Sequence, residues 1–163
     1  MSDAMPAPEP IAVRTLTLER VLDATPDKVF AAWTTPELMM KWFTPAPYET
    51  VKVESDLRPG GACTVTMRSP EGVEIPNPGI YLEIVPNRKL VFTDAMLADW
   101  EPIGGAPFMV ATITFEPAPG GRTKYTATAR HWSAATAKQH EQMGFHTGWG
   151  AAADQLNALV KTL

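Results

Sequence analysis

His131, His140 and His146 are the side chains in this sequence best suited to move a proton near neutral pH, because an unperturbed imidazole titrates in that range. Counting in steps of two places His131 with Tyr125, Ala127 and Ala129 on one strand face, and His146 falls at the margin of a helical apolar stripe. Both are therefore expected to face an interior as general acid or base. The alternative for each is an ordinary histidine, half-exposed or bonded to a backbone carbonyl in the core. His140 is expected to be solvated. Asp94, Asp99 and Glu101 lie close together in sequence and would be the catalytic carboxylates, against the simpler reading of a solvated loop.

Other chemistries lack their residue patterns. A metal needs convergent ligands at a fixed spacing, but His140 and His146 are six residues apart and Cys63 has no CxxC partner, so no metal is expected. No serine elbow, dinucleotide fingerprint or phosphate loop is present; the Gly-Gly pairs read as turns, and no cofactor is expected. A single cysteine permits no internal disulfide, which points to a reducing cytoplasm. Fourteen basic and eighteen acidic residues give a net charge of -4 without a Lys/Arg block, which argues against nucleic acid or an anionic membrane as partner. No apolar run reaches the roughly 18 residues of a membrane-spanning helix. The oligomeric state, monomer or homodimer, stays open.

These residues must be positioned by elements whose periodicity is legible. Residues 1–10 carry three prolines and read as a flexible tail; residues 11–163 read as one domain. Ala12 to Leu22 alternates as a strand, and Thr25-Pro26 and Thr35-Pro36 each start a short helix. Between Tyr48 and Trp132, turn signals at Pro59-Gly60-Gly61, Pro86-Asn87 and Pro119-Gly120-Gly121 divide an antiparallel meander. Its strands are expected at 49–56, 62–68, 79–85, 89–94, 108–116 and 123–132. The long segment from Met96 to Pro107 is expected to be a mobile loop. From Ala135 to Leu163 the period changes to 3.6, with Phe145, Trp149, Ala152, Leu156, Leu159, Val160 and Leu163 on one stripe of a single long helix.

Strand, two short helices, six strands and a long helix make an α+β helix-grip fold, a curved antiparallel sheet wrapped around a C-terminal helix. Several segments also carry a resemblance: Ala24 to Phe30, Thr35 to Leu38 with Lys41-Trp42-Phe43, Asp56 to Gly61, Gly79 to Pro86, Leu90 to Thr93 and Met143 to Gly150. Together they resemble the START-like (SRPBCC) superfamily, within it the family of the activator of the ninety-kilodalton heat-shock protein ATPase, over nearly the whole domain. The resemblance implies one of three roles: binding of a hydrophobic small molecule, cyclase- or hydrolase-like catalysis, or a chaperone-associated protein surface. One fold hosting all three cannot choose among them.

The elements that border the cavity in that family here carry Trp42, Tyr81, Phe92, Trp100, Phe108, Phe145 and Trp149, so these, with His131 and His146, are the expected ligand contacts. Simple core packing is the alternative for each of the aromatic residues. Ligand binding in an apolar cavity between sheet and helix, gated by the 96–107 loop with Trp100 as lid anchor and Gly104-Gly105 as hinge, is the leading expectation. The enzymatic alternative uses His131 or His146 as acid or base, with Tyr81 as a hydrogen-bond donor. Gly144, Gly148 and Gly150 are expected either to let a ligand or the sheet approach the helix or to bend it.

Overall fold

The computed structural model of the chain describes residues 7–104 and 108–163. After a 3-10 turn at Ile11–Arg14 come β1 (Thr15–Leu22), α1 (Pro26–Thr34) and α2 (Pro36–Met39). Each short helix opens on a proline whose fixed φ suits the first helical position, preceded by a threonine in extended conformation. Next follow β2 (Glu49–Ser55), β3 (Cys63–Arg68), β4 (Glu74–Asn77), β5 (Ile80–Val85), β6 (Lys89–Thr93), β7 (Met96–Leu97) and β8 (Glu101–Pro102). β9 (Met109–Ala118), β10 (Arg122–His131), α3 (Ala134–Gln142) and α4 (Phe145–Val160) complete the chain.

The main sheet runs β1-β10-β9-β6-β5, antiparallel throughout, so the first and last strands are neighbours. A second sheet, β2-β3-β4, joins it through the bridge between Ala62 and Ile80. β4 was not expected: its four residues are all exposed, so no alternation marks them, and Pro76 is tolerated because the strand lies at a sheet edge. In β5 both Ile80-Leu82-Ile84 and Tyr81-Glu83 compete for the inner face. A bulge between Tyr81 and Glu83 resolves the competition, pairing Tyr81 with Phe92 and Ile84 with Leu90, so the strand changes face midway.

The C-terminal helix differs from expectation. It is two helices, α3 and α4, broken at Gly144, whose φ of +100° is a left-handed conformation that suits glycine. From Phe145 onward the expected stripe holds: Phe145, Ala152, Leu156 and Val160 are buried, and Trp149 and Leu159 pack against the core. Leu163 lies beyond the helix end and is exposed. Gln155 ties α4 to the chain between α2 and β2, its amide donating to the carbonyls of Trp42 (2.7 Å) and Thr44 (2.9 Å) and accepting from the Ala46 N–H (3.0 Å).

The three helix glycines thus have different reasons to be there. Gly144 makes the break, and a Cβ on Gly150 would meet the Arg20 guanidinium at 2.9 Å. At Gly148 a Cβ would meet nothing among the described residues within 4 Å, so no close approach of the sheet requires a glycine there. Gly148→Ala is accordingly expected to raise stability by about 0.5–1 kcal/mol. Gly144→Ala is expected to lower it by about 1–2 kcal/mol, the cost of a left-handed alanine. Urea unfolding of both variants checks this; shifts of the same sign would contradict it.

Candidate functional site

His131 ends β10, opposite Met109 at the start of β9. The Asp94 carboxylate, just after β6, accepts from the backbone N–H groups of Phe108 (3.0 Å) and Met109 (3.1 Å) and so fixes the strand beside it. His131 Nδ1 lies 2.9 Å from the Phe108 carbonyl, and its Nε2 lies 3.0 Å from Nδ1 of His140 on α3. A carbonyl only accepts, so in the neutral pair Nδ1 of His131 carries a proton and its Nε2 is bare. His140 must then donate from Nδ1, leaving Nε2 of His140 as a lone pair.

Aromatic rings enclose this pair. Phe108 stands 4.9 Å from the His131 ring and 4.8 Å from the His140 ring, while Phe145 and Trp149 stand 5.1 and 5.8 Å from His140. His140, expected in solvent, is instead buried. The reason is the helix break: on one continuous helix His140 would point about 180° away from Trp149, nine residues on at about 100° per residue, and Gly144 lets α4 start on a new axis.

Burial pushes the His140 pKa down to about 4, with the neighbouring His131 adding to the effect. His131 is lowered by burial too, opposed by the Phe108 carbonyl and Asp94. The unfolded chain therefore takes up a proton near 6.5 and the folded His140 only near 4. The contribution to stability is complete above that window and is lost as pH falls through it. Thermal unfolding at a series of pH values is expected to show this decline, and His140→Gln, which keeps a donor for His131, is expected to flatten it. An unchanged slope in that variant would remove His140 as the cause.

A second aromatic group surrounds Trp33 of α1, with Trp42, Phe43 and Phe92 rings at 4.9, 5.6 and 5.7 Å. Trp42 donates its indole N–H to the Ala32 carbonyl at 2.9 Å. The Trp33 indole N–H is buried and has no hydrogen-bond partner among the described residues. It lies beside the buried Tyr125 hydroxyl, where it partly offsets the upward push of burial on that group's pKa. Tyr81 belongs to a third group: its hydroxyl lies 2.7 Å from Ser55 Oγ and beside Cys63. Burial raises the Tyr81 pKa and pushes the Cys63 thiol up to about 11, which leaves Cys63 a poor nucleophile.

Two expected contacts lie outside the interior. His146 is exposed and faces Glu141 at 3.5 Å, because the restarted helix turns Phe145 inward and its successor outward. Trp100 is 48% exposed and its indole rests on Gly60, a position where any Cβ would collide with it. The 96–104 stretch, expected to be a mobile loop, forms the β7-β8 hairpin, tied to the Pro59-Gly61 turn by Arg58–Asp99 (3.0 Å) and by the Asp99 N–H to the Gly60 carbonyl (2.8 Å). Gly105, the second residue of the expected hinge, and Pro107 lie outside the described residues. The three carboxylates do not form a site: Asp94 binds backbone, Asp99 pairs with Arg58, and Glu101 is exposed in β8. His131, His146 and Tyr81, the candidates for acid–base work, likewise have separate partners.

Trp33 and His140 are the residues that sequence periodicity missed. Trp33 reads as a core position of α1, and nothing local signals that its N–H lacks a partner. The interior between main sheet and α4 is occupied by the rings described above. Open clefts of about 330 Å³, lined by Trp42, Tyr48, Gln155 and neighbours, and of about 360 Å³, lined by Pro26, Arg88, Pro117 and neighbours, lie at the surface. Among the described residues no three His, Cys, Asp or Glu side chains are grouped as a metal site, and no helix is long and apolar enough to cross a membrane.

A curved antiparallel sheet closed by a C-terminal helix over an aromatic interior defines a helix-grip domain of the START-like class. The chain belongs to the family described as Activator of Hsp90 ATPase homolog 1-like protein, whose model matches residues 23–161. A crystallised protein from Nitrosomonas europaea is 40% identical, with a TM-score of 0.88 over 93% of this chain and 96% of that one. Crystallised proteins from Chromobacterium violaceum (28% identity, TM-score 0.72, 90% and 96% covered) and Mycobacterium smegmatis (25%, 0.76, 92% and 92%) share the fold. No curated protein matches the chain.

Proposed function

We propose that this domain binds a hydrophobic or aromatic small molecule between the main sheet and α4. The observation that carries the reading is the Trp33 indole N–H, a buried donor without a partner among the described residues, set within the Trp42, Phe43 and Phe92 rings. An unmet buried donor costs about 1–3 kcal/mol, and an acceptor on a bound molecule inserted beside the Tyr125 hydroxyl would recover it. Apolar walls with few polar points are the usual composition of a small-molecule site. Phe108 and Trp149, both half-buried, add apolar ring surface beside His140.

Native mass spectrometry of protein purified from its own host is expected to show a retained small molecule. Thermal-shift and dye-displacement screens with lipids, flavonoids and polyketides are expected to find stabilising ligands, and Trp33→Phe is expected to weaken those that carry a carbonyl. The reading is abandoned if neither approach yields a ligand at concentrations far above micromolar.

A further inference from the structure

We infer that His140 Nε2 is the polar recognition point for an aromatic ligand bearing a hydroxyl group, a phenol or enol, and that the site rejects carboxylates. This rests on the binding reading above and narrows it. Its basis is the direction of the hydrogen-bond chain. The Phe108 carbonyl fixes the proton of His131 on Nδ1, His131 Nε2 takes the proton of His140 Nδ1, and His140 Nε2 is left with a lone pair and no partner among the described residues. Of the two rings it is His140 that keeps residual exposure, 8% against 1% for His131, so the pair is approached from the His140 side.

A lone pair held in this way selects by chemistry. A ligand must present a donor to it. An ionised carboxylate, as on a fatty acid at neutral pH, presents acceptors only and meets repulsion. An ammonium presents donors, but its charge would need a counterion in a desolvated place, and the nearby Asp94 carboxylate is already used by the N–H groups of Phe108 and Met109. A neutral hydroxyl on a flat ring meets both requirements, since Phe108, Phe145 and Trp149 supply the apolar faces around His140. A site whose buried polar atom stays unpaired with the wrong ligand discriminates more strongly than one reading shape alone.

Three probes of common ring size separate the terms: 1-naphthol, 1-methoxynaphthalene and 1-naphthoate, titrated near neutral pH by calorimetry. The wild type is expected to bind 1-naphthol about tenfold or more tightly than either of the others, the worth of one buried hydrogen bond. In His140→Phe, which keeps the aromatic volume, that ratio is expected to fall to near one. Equal affinities in the wild type, or an unchanged ratio in the variant, overturn the inference and leave the binding reading standing. No binding by any of the three probes overturns the inference, while the broader binding reading is decided by the ligand screens above. Nitrogen-15 NMR of the histidine rings in the wild type tests the basis independently of any variant: a protonated Nδ1 and bare Nε2 on His140 are expected, and a proton on Nε2 overturns the inference.

Discussion

His131→Ala is expected to lower the unfolding free energy by about 3–5 kcal/mol, because three losses coincide at one fully buried position. The Phe108 carbonyl loses its donor, His140 Nδ1 loses its acceptor, and the imidazole leaves a void between Phe108 and His140. His131 is 1% exposed, so water has no easy route to repair either bond. The terms overlap, and the quoted range is well below their separate maxima summed. His131→Gln, which retains a donor and an acceptor but holds both at the end of the side chain and cannot reach both partners as the ring does, is expected to lose roughly half as much. Urea unfolding of the two variants decides: an alanine variant within about 1 kcal/mol of wild type would show that the imidazole pair does not hold the β9–α3 corner together.

Trp42→Ala carries the next largest effect, about 3–5 kcal/mol, typical of removing a buried tryptophan. Trp42 is 2% exposed, stacks edge-on against Trp33 and Phe43, and bonds the Ala32 carbonyl. Trp42→Phe retains most of the ring contact but leaves that carbonyl unpaired, and about 1–2 kcal/mol is expected. This pair of variants also separates packing from ligand contact. A residue that only packs changes stability and leaves the affinity of the surviving fold near wild type; a wall of the binding site changes affinity in Trp42→Phe by more than its stability loss accounts for. Chemical unfolding and a naphthol titration on the same protein measure both.

The parts of the fold that periodicity and turn chemistry specify locally were legible. Proline after threonine marked both short helices, and Gly-rich or Pro-Asn turns divided the meander close to its observed strands. The stripe from Phe145 to Val160 marked the face of α4 that is buried. β4 escaped because an exposed strand with no alternation has no pattern to read. The face of β5 was ambiguous because one extra residue exchanges its sides, and only pairing with β6 places the bulge. The burial of His140 is not legible because it depends on the helix break, and a glycine in sequence does not state whether it bends, breaks or merely occupies a helix.

The candidate site divides in the same way. Composition alone set its aromatic and disulfide-free chemistry, since those follow from which residue types exist in the chain. Which of them meet was a tertiary matter. Phe108, His131, His140, Phe145 and Trp149 come from one strand end, the residue before another strand, and two helices, and no local rule relates their positions. The proton order in the imidazole pair is more remote still from sequence. It depends on one carbonyl, that of Phe108, standing within hydrogen-bond distance of one ring nitrogen, and such a distance exists only after the sheet has paired and α3 has packed against it.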